Sequence, residues 1–217
     1  MSASVVVVSY RRLAHLEEIL KAWLVETPDV WLCDCSRDGF KTALPINIIR
    51  AVPDPGNRIR HAVALLTQGD LVIKADDDIM PLPGLAADFI RAWEKNGDAI
   101  YGIHGRRFLG ASYYRSTQMI GPGQIKREIE PVDFVGVITA APRKYLVIDL
   151  LGCASQVEDL FWQMVWYPGV PKFVIKTANI KHLPESFDRG RLCADSRSRS
   201  IREIFYQTWY RKNYEKR

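Results

Sequence analysis

The chain has 217 residues, of which 47% are hydrophobic and 25% charged, and its formal net charge is +5. That length suits one domain, and that composition excludes a disordered, collagen-like or wholly coiled-coil chain. The charge is uneven: residues 189–217 hold nine Lys/Arg against three Asp/Glu, so the first 188 residues are close to neutral.

The four cysteines, at 33, 35, 153 and 193, show neither a zinc spacing nor a dense disulfide framework. They predict reduced thiols in a cytoplasmic protein. The opening residues lack a charged and then apolar leader pattern, so no signal peptide is expected. No apolar run approaches the about 20 residues that cross a bilayer. Any membrane contact is therefore expected to be peripheral.

Four successive valines at 5–8 predict a strand buried on both faces, as in a parallel sheet. Leu13, Leu16, Ile19, Leu20, Trp23 and Leu24 then recur on one helical face, which Pro28 ends. Residues 30–33 predict a second strand and 46–52 a third. Residues 58–68 predict a helix with Gly69 as its C-cap. Residues 70–75 predict a fourth strand, which runs into Asp76, Asp77 and Asp78. This alternation implies an α/β fold with a mostly parallel central sheet and right-handed crossovers. In such sheets ligands bind beyond the carboxyl ends of the strands. Three polar loops, 9–12, 34–39 and 76–78, are expected to converge there.

Further on, residues 83–96 predict a helix, and 99–103 and 134–139 strands. The stretch between those strands, with Tyr113, Tyr114, Gly121, Pro122 and Gly123, predicts a loop or hairpin. Residues 157–165 predict a helix opened by Glu158 and Asp159, 173–175 a short strand, and 200–210 a final helix. Residues 1–195 are expected to form the main domain, with 196–217 as a basic, aromatic C-terminal helix or tail.

The sharpest chemical feature is the Asp triplet. Three adjacent carboxylates after an apolar strand repel one another unless a cation sits among them. On an extended chain Asp76 and Asp78 share one side and Asp77 takes the other. Such a pair suits Mg²⁺ or Mn²⁺ and leaves positions for phosphate oxygens. A solvated acidic turn is the bland alternative for a bare D-x-D.

The layout resembles the GT-A glycosyltransferases, with family 2-like enzymes as the nearest pattern. The resemblance spans about residues 5–190 and rests on the order of short motifs. It implies that Ser9, Tyr10 and Arg11 contact the nucleotide and that Asp34 reads the base. Gly56, Asn57 and Arg58 match the loop that leads toward the D-x-D motif, which places Asn57 and Arg58 at the donor. Asp76 and Asp77 are likewise implied to contact it. Phe134, Val135, Gly136 and Val137 match a glycine-containing acceptor loop. Val157, Glu158 and Asp159 match the x-E-D motif, and His182 the late histidine that joins Asp76 and Asp78 as a metal ligand. The chain is more compact than many relatives, so the acceptor does not carry over.

On this resemblance Asp159 is the candidate base that takes a proton from the acceptor hydroxyl, with Glu158 in support. First-turn helix acids are the plain alternative. His182 suits Mn²⁺ as a neutral imidazole. Arg189 and Arg191 are candidates to close over the diphosphate leaving group. One of Arg58, Arg60 and His61 is a weaker candidate for phosphate contact, and His104 for lining the acceptor or donor side.

The expected activity is metal-dependent transfer of a sugar from a nucleoside diphosphate-sugar to an acceptor hydroxyl, with inversion as the default and retention open. A nucleotidyltransferase is disfavoured, because residues 9–12 lack the glycines of its phosphate loop. A non-catalytic nucleic-acid or membrane-binding protein leaves the acids and His182 unexplained. The tail interleaves Arg197, Arg199, Arg202, Arg211, Lys212, Lys216 and Arg217 with Phe205, Tyr206, Trp209, Tyr210 and Tyr214. It suits a glycan, a glycolipid at a membrane surface, or a hydroxylated base in DNA as acceptor. A helix packed on its own domain is the plainer alternative.

Overall fold

A computed structural model of the chain describes residues 1–9, 14–52, 55–147, 156–183 and 196–213. Its first half contains β1 (Ala3–Ser9), α1 (Leu16–Glu26), β2 (Val30–Asp34), β3 (Asn47–Arg50), α2 (Ile59–Ala64), β4 (Leu71–Asp76), β5 (Ile79–Pro81) and α3 (Leu85–Asn96). The second half contains β6 (Ile100–Phe108), β7 (Thr117–Ile120), β8 (Ile129–Pro131), β9 (Phe134–Pro142), α4 (Glu158–Phe161), β10 (Lys172–Ile175), β11 (Ile180–His182) and α5 (Ser196–Asn213).

The main sheet runs β3-β2-β1-β4-β9-β6-β10-β8, and β7 pairs with β6. The first four strands are parallel, as their apolar runs predict. In the second half β9 runs antiparallel to both β4 and β6, so the whole sheet is mixed. Strand order reverses at β1, with β2 and β3 on one side and β4 on the other. Ligand sites in open α/β sheets lie at such a switch point.

Period-two alternation explains the two large core clusters. Val5 and Val7 face one side with Ile73 and Ala75, where α1 and α3 supply Leu16, Ile19, Leu20, Trp23, Leu85 and Phe89. Val6 and Val72 face the other side, where α2 supplies Val63 and Ala64, and Trp162 packs beyond them. Residues 74 and 76 share the face of Val72. Lys74 and Asp76 therefore point toward α2 and Trp162, not toward α1.

Several predicted boundaries shift. The helix expected over 58–68 is a 3₁₀ turn, Gly56–Arg58, followed by α2, which ends at Ala64. Gly69 therefore caps nothing. It is needed because a Cβ there would lie 2.6 Å from the backbone nitrogen of Ser4. The stretch expected as a loop or hairpin before β9 contributes β7 and β8 to the sheet. The helix expected over 157–165 is the short α4, which widens into a π turn, Trp162–Trp166. A small second sheet pairs β5 with β11 and holds His182 opposite Ile79.

The C-terminal helix is part of the body. Tyr206 is fully buried, and with Tyr113, Phe134, Val157, Leu160 and Met164 it forms a third cluster. The Tyr206 hydroxyl donates to the Gly110 carbonyl at 2.8 Å, and the Trp209 indole donates to the Met164 carbonyl at 3.1 Å.

Candidate active site

Parallel pairing brings the ends of β1, β2 and β4 together: Ser9 lies opposite Asp34, and Val8 opposite Asp76. Ser9 is buried, and its hydroxyl has no hydrogen-bond partner among the described residues. Asp34 is also fully buried. One of its oxygens accepts from the backbone and side chain of Ser36, and the other from the Phe40 backbone at 2.7 Å. Burial alone would raise its pKa. These hydrogen bonds, with Arg50 nearby, hold it below the usual carboxylate value. Asp34 thus shapes the loop that follows β2.

Arg58 sits in the 3₁₀ turn beside α2 and donates to the Pro55 carbonyl. Asn57 belongs to the same turn, but its side chain lies outside the described residues. Tyr10, Arg11, Arg189 and Arg191 also lie outside them.

The Asp triplet is not one extended run. Strand β4 ends at Asp76, and Asp77 and Asp78 form a turn. Strict alternation therefore stops at Asp76. One Asp76 oxygen accepts from the Arg60 guanidinium at 3.1 Å. Asp77 is half-buried. Asp78 is 7% exposed, and its carbonyl accepts from Leu183 N–H at 3.1 Å, which ties the turn to the end of β11. His182 stands beside it, its ring centroid 5.6 Å from that of His104. The His104 Nε2 is buried without a partner among the described residues, and burial, then His182, push its pKa down to about 4. Two carboxylates and an imidazole are suitable donors for Mn²⁺ or Mg²⁺ that also takes phosphate and water oxygens. Among the described residues no three His, Cys, Asp or Glu side chains gather tightly enough to cage an ion by themselves. Asp76, Asp78 and His182 are thus not drawn into a three-ligand cage, and an ion held between any of them would need further oxygens from phosphate or water.

Glu158 and Asp159 open α4 and line a cavity of about 80 Å³ together with Arg60, Lys74, Asp76, Gly136 and Trp162. The two carboxylates are driven apart. Glu158 is 2% exposed, and burial, then the neighbouring Asp159, raise its pKa to about 7. Asp159 is held below the normal carboxylate range despite its own burial, chiefly by Arg202, and by the Leu160 N–H and Arg60. Arg202 grips it with two parallel bonds, Nη1 to Oδ1 at 3.0 Å and Nη2 to Oδ2 at 2.9 Å.

Beneath the carboxylates lies a buried lysine. The Lys74 ammonium sits 3.2 Å from the Trp162 ring centroid and 3.4 Å from His61 Nε2. Burial, then Arg60, depress the Lys74 pKa well below its usual value, while Glu158, Asp159 and Asp76 oppose that shift. Burial, then Lys74, keep His61 neutral.

The cavity wall from β9 is strained. Gly102 pairs with Thr139 but His104 with Gly136, so β9 carries one extra residue there. Val137, in this bulge, has φ of 67°. A β-branched residue in the left-handed region is costly and persists only where packing enforces it. Phe134, Val135, Gly136 and Val137 thus stand in a bulged strand, with three of the four on the cavity wall.

Sequence reasoning missed Lys74, Trp162 and Arg202, and it raised Arg60 only as one of three residues for phosphate contact. A lysine inside the apolar run 71–75 was an available signal, because a strand buried on both faces must give it partners. Arg202 carried no local signal; its partners lie 43 and 89 residues away.

The fold is that of the GT-A-type glycosyltransferases. S. aureus TarS superposes with a TM-score of 0.61 at 16% identity, covering 86% of this chain and 38% of that one. TarS residues 1–349 in complex with UDP-GlcNAc match with a TM-score of 0.55 at 14% identity, over 83% of this chain and 57% of that one. GalNAc-T7 with UDP, GalNAc and Mn²⁺ matches with a TM-score of 0.61 at 10% identity, over 100% of this chain and 57% of that one. The chain therefore spans about two fifths to three fifths of the length of these structures. No protein-family model and no curated protein matches its sequence.

Proposed function

We propose that the protein transfers a sugar from a nucleoside diphosphate-sugar to an acceptor hydroxyl, in a metal-dependent reaction that inverts the anomeric centre. The observation that carries this reading is Asp76, at the sheet switch point beside the ends of β1 and β2, sharing one cavity with Glu158 and Asp159. The structures solved with UDP-GlcNAc and with UDP, GalNAc and Mn²⁺ favour a uridine diphosphate donor.

In this reading the loop organised by Asp34 receives the base, and Asn57 and Arg58 flank the donor. Asp76, Asp78 and His182 are the residues that would hold Mn²⁺ or Mg²⁺, with phosphate and water oxygens completing the shell, and the ion would supply charge neutralisation for the diphosphate. Asp159 is ionised and accepts the acceptor hydroxyl proton as that oxygen bonds to the anomeric carbon. The bond from the anomeric carbon to the diphosphate oxygen breaks, and its electron pair leaves with the diphosphate. Glu158 retains a proton over part of the neutral range and so can donate a hydrogen bond to a hydroxyl in the cavity.

The tail helix argues for an enzyme over a surface-binding protein. Tyr206 and Arg202 are committed to the body and not to an external surface. No helix among the described residues is long and apolar enough to cross a membrane. Thermal shift with UDP-sugars, with and without Mn²⁺, tests the donor and metal assignments together. Stabilisation by UDP-GlcNAc or UDP-GalNAc that grows with Mn²⁺ is expected. No shift with any nucleotide-sugar overturns the reading. Assays with glycan, lipid-linked glycan and hydroxymethylated DNA acceptors then sort the acceptor class.

A further inference from the structure

We infer that Arg202, from the C-terminal helix, is a positioning residue for the reaction: it aims the Asp159 carboxylate and keeps it ionised. This rests on Asp159 being the base.

The geometry is that of a fork fixed at both ends. Each guanidinium Nη meets one carboxylate oxygen, which sets the plane of the Asp159 group. The fork is itself held. Nη1 also donates to the Gln156 carbonyl at 2.8 Å, and Nη2 to the Tyr113 hydroxyl at 3.0 Å. The guanidinium lies 5.2 Å from the Tyr113 ring centroid. Tyr113 in turn packs edge-on to Tyr114 and Phe134. Arg202 thus ties together α5, the start of α4 and the segment before β7. Its side chain is 15% exposed, against 27% for Asp159, so the pair is screened far less than a surface bridge.

Among the described residues, the other charged groups near Asp159 do not grip it in this way. Arg60 of α2 bonds Asp76, Lys74 of β4 lies against Trp162 and His61, and Glu158 is its neighbour on α4. Arg202 supplies the two side-chain hydrogen bonds that Asp159 receives among the described residues. A base that must meet a hydroxyl proton needs both its orientation and its charge set in advance. Much of the basic character of the last 29 residues has been an open question; for this arginine the structure answers it within the site.

The test is the pH dependence of transfer for Arg202→Gln, Arg202→Lys and Tyr206→Phe, with Asp159→Asn alongside. Arg202→Gln is expected to lower kcat about 10- to 100-fold with little change in donor KM, because a misaimed group costs on that scale. It should also move the acid limb of the kcat profile upward by about one pH unit or more, since a lost opposite charge raises a carboxyl pKa. Arg202→Lys restores the limb but only part of kcat, because an ammonium lacks the fork. Tyr206→Phe loosens the same helix and should leave the limb in place. If Arg202→Gln fails to fold, Arg202→Lys decides: full kcat overturns the inference. An unmoved limb and unchanged kcat in Arg202→Gln also overturn it, and so does a gain in activity, which would mark the contact as inhibitory. If Asp159→Asn keeps turnover, the base assignment has failed instead.

Discussion

The loop that follows β2 and the start of α4 are built in opposite ways. At the ends of β1 and β2, Asp34 bonds groups two and six residues away. At the start of α4, Asp159 is held by a residue 43 positions on, which is itself anchored 89 positions back on Tyr113. Short-range hydrogen bonds make the first region a product of local turn chemistry. The second exists only once distant elements have docked. If Asp159 is the base, as proposed, the start of α4 is the part where a change in packing should alter chemistry without touching the donor.

Asp159→Asn offers the largest contrast. It should cut transfer by about 10²- to 10⁴-fold, the usual worth of a positioned base, while donor-dependent thermal stabilisation persists. Equal loss of donor binding would show that the two regions are not separable. Asp78→Ala attacks the proposed metal site: Mn²⁺ should no longer deepen the UDP-sugar thermal shift, and transfer should drop to background. Undiminished Mn²⁺ dependence would remove Asp78 from the metal site.

Glu158→Gln tests burial of charge. The folded pKa of Glu158 is about 7 against an ordinary 4.5, so the folded state takes up a proton between those values. Relative to Gln, the wild type is least penalised below pH 4.5 and loses stability as pH rises through 7. The difference is on the order of 3 kcal/mol at most, from about 1.4 kcal/mol per pKa unit. Melting curves should show the variant gaining several degrees over wild type at pH 8 and little at pH 4.5. A gain independent of pH would contradict the buried, proton-holding Glu158.

Asp34→Ala should cost about 1–3 kcal/mol by orphaning the Ser36 and Phe40 donors and raise donor KM with kcat less affected. A selective fall in kcat would move Asp34 to the reacting groups. The smallest effect belongs to Tyr206→Phe, which loses one hydrogen bond and about 1 kcal/mol in urea titration, with transfer kept.

Much of the first half of the sheet was legible. The valine run 5–8, the strand before Asp34 and the apolar stretch before Asp76 each announce a strand whose end must meet the others in a parallel sheet. The x-E-D acids were likewise found where a helix begins. The errors share one cause. A helix was expected over 58–68 from periodicity, yet it ends at Ala64 because the chain turns back to lay Gly69 against Ser4. The alternation argument for Asp76 and Asp78 assumed an extended chain, and the turn at residues 77 and 78 ended it. The interval before β9 looked irregular because strands β7 and β8 are short and find their partners across the sheet.

Amino-acid order alone carried the α/β alternation, the meeting of strand ends and the set of acids available for chemistry, since these follow from residue type and short periods. Docking of the folded chain decided how those acids behave. It buried Glu158, placed Lys74 under it against Trp162, turned Asp76 to Arg60, forced Val137 into a bulge and brought Arg202 onto Asp159. Charge in a low-dielectric cavity depends on neighbours within a few ångströms, and those neighbours are set by tertiary contact. The net +5 shows the same division: sequence located its excess near the C-terminus, but only packing showed that one of those arginines bonds Asp159.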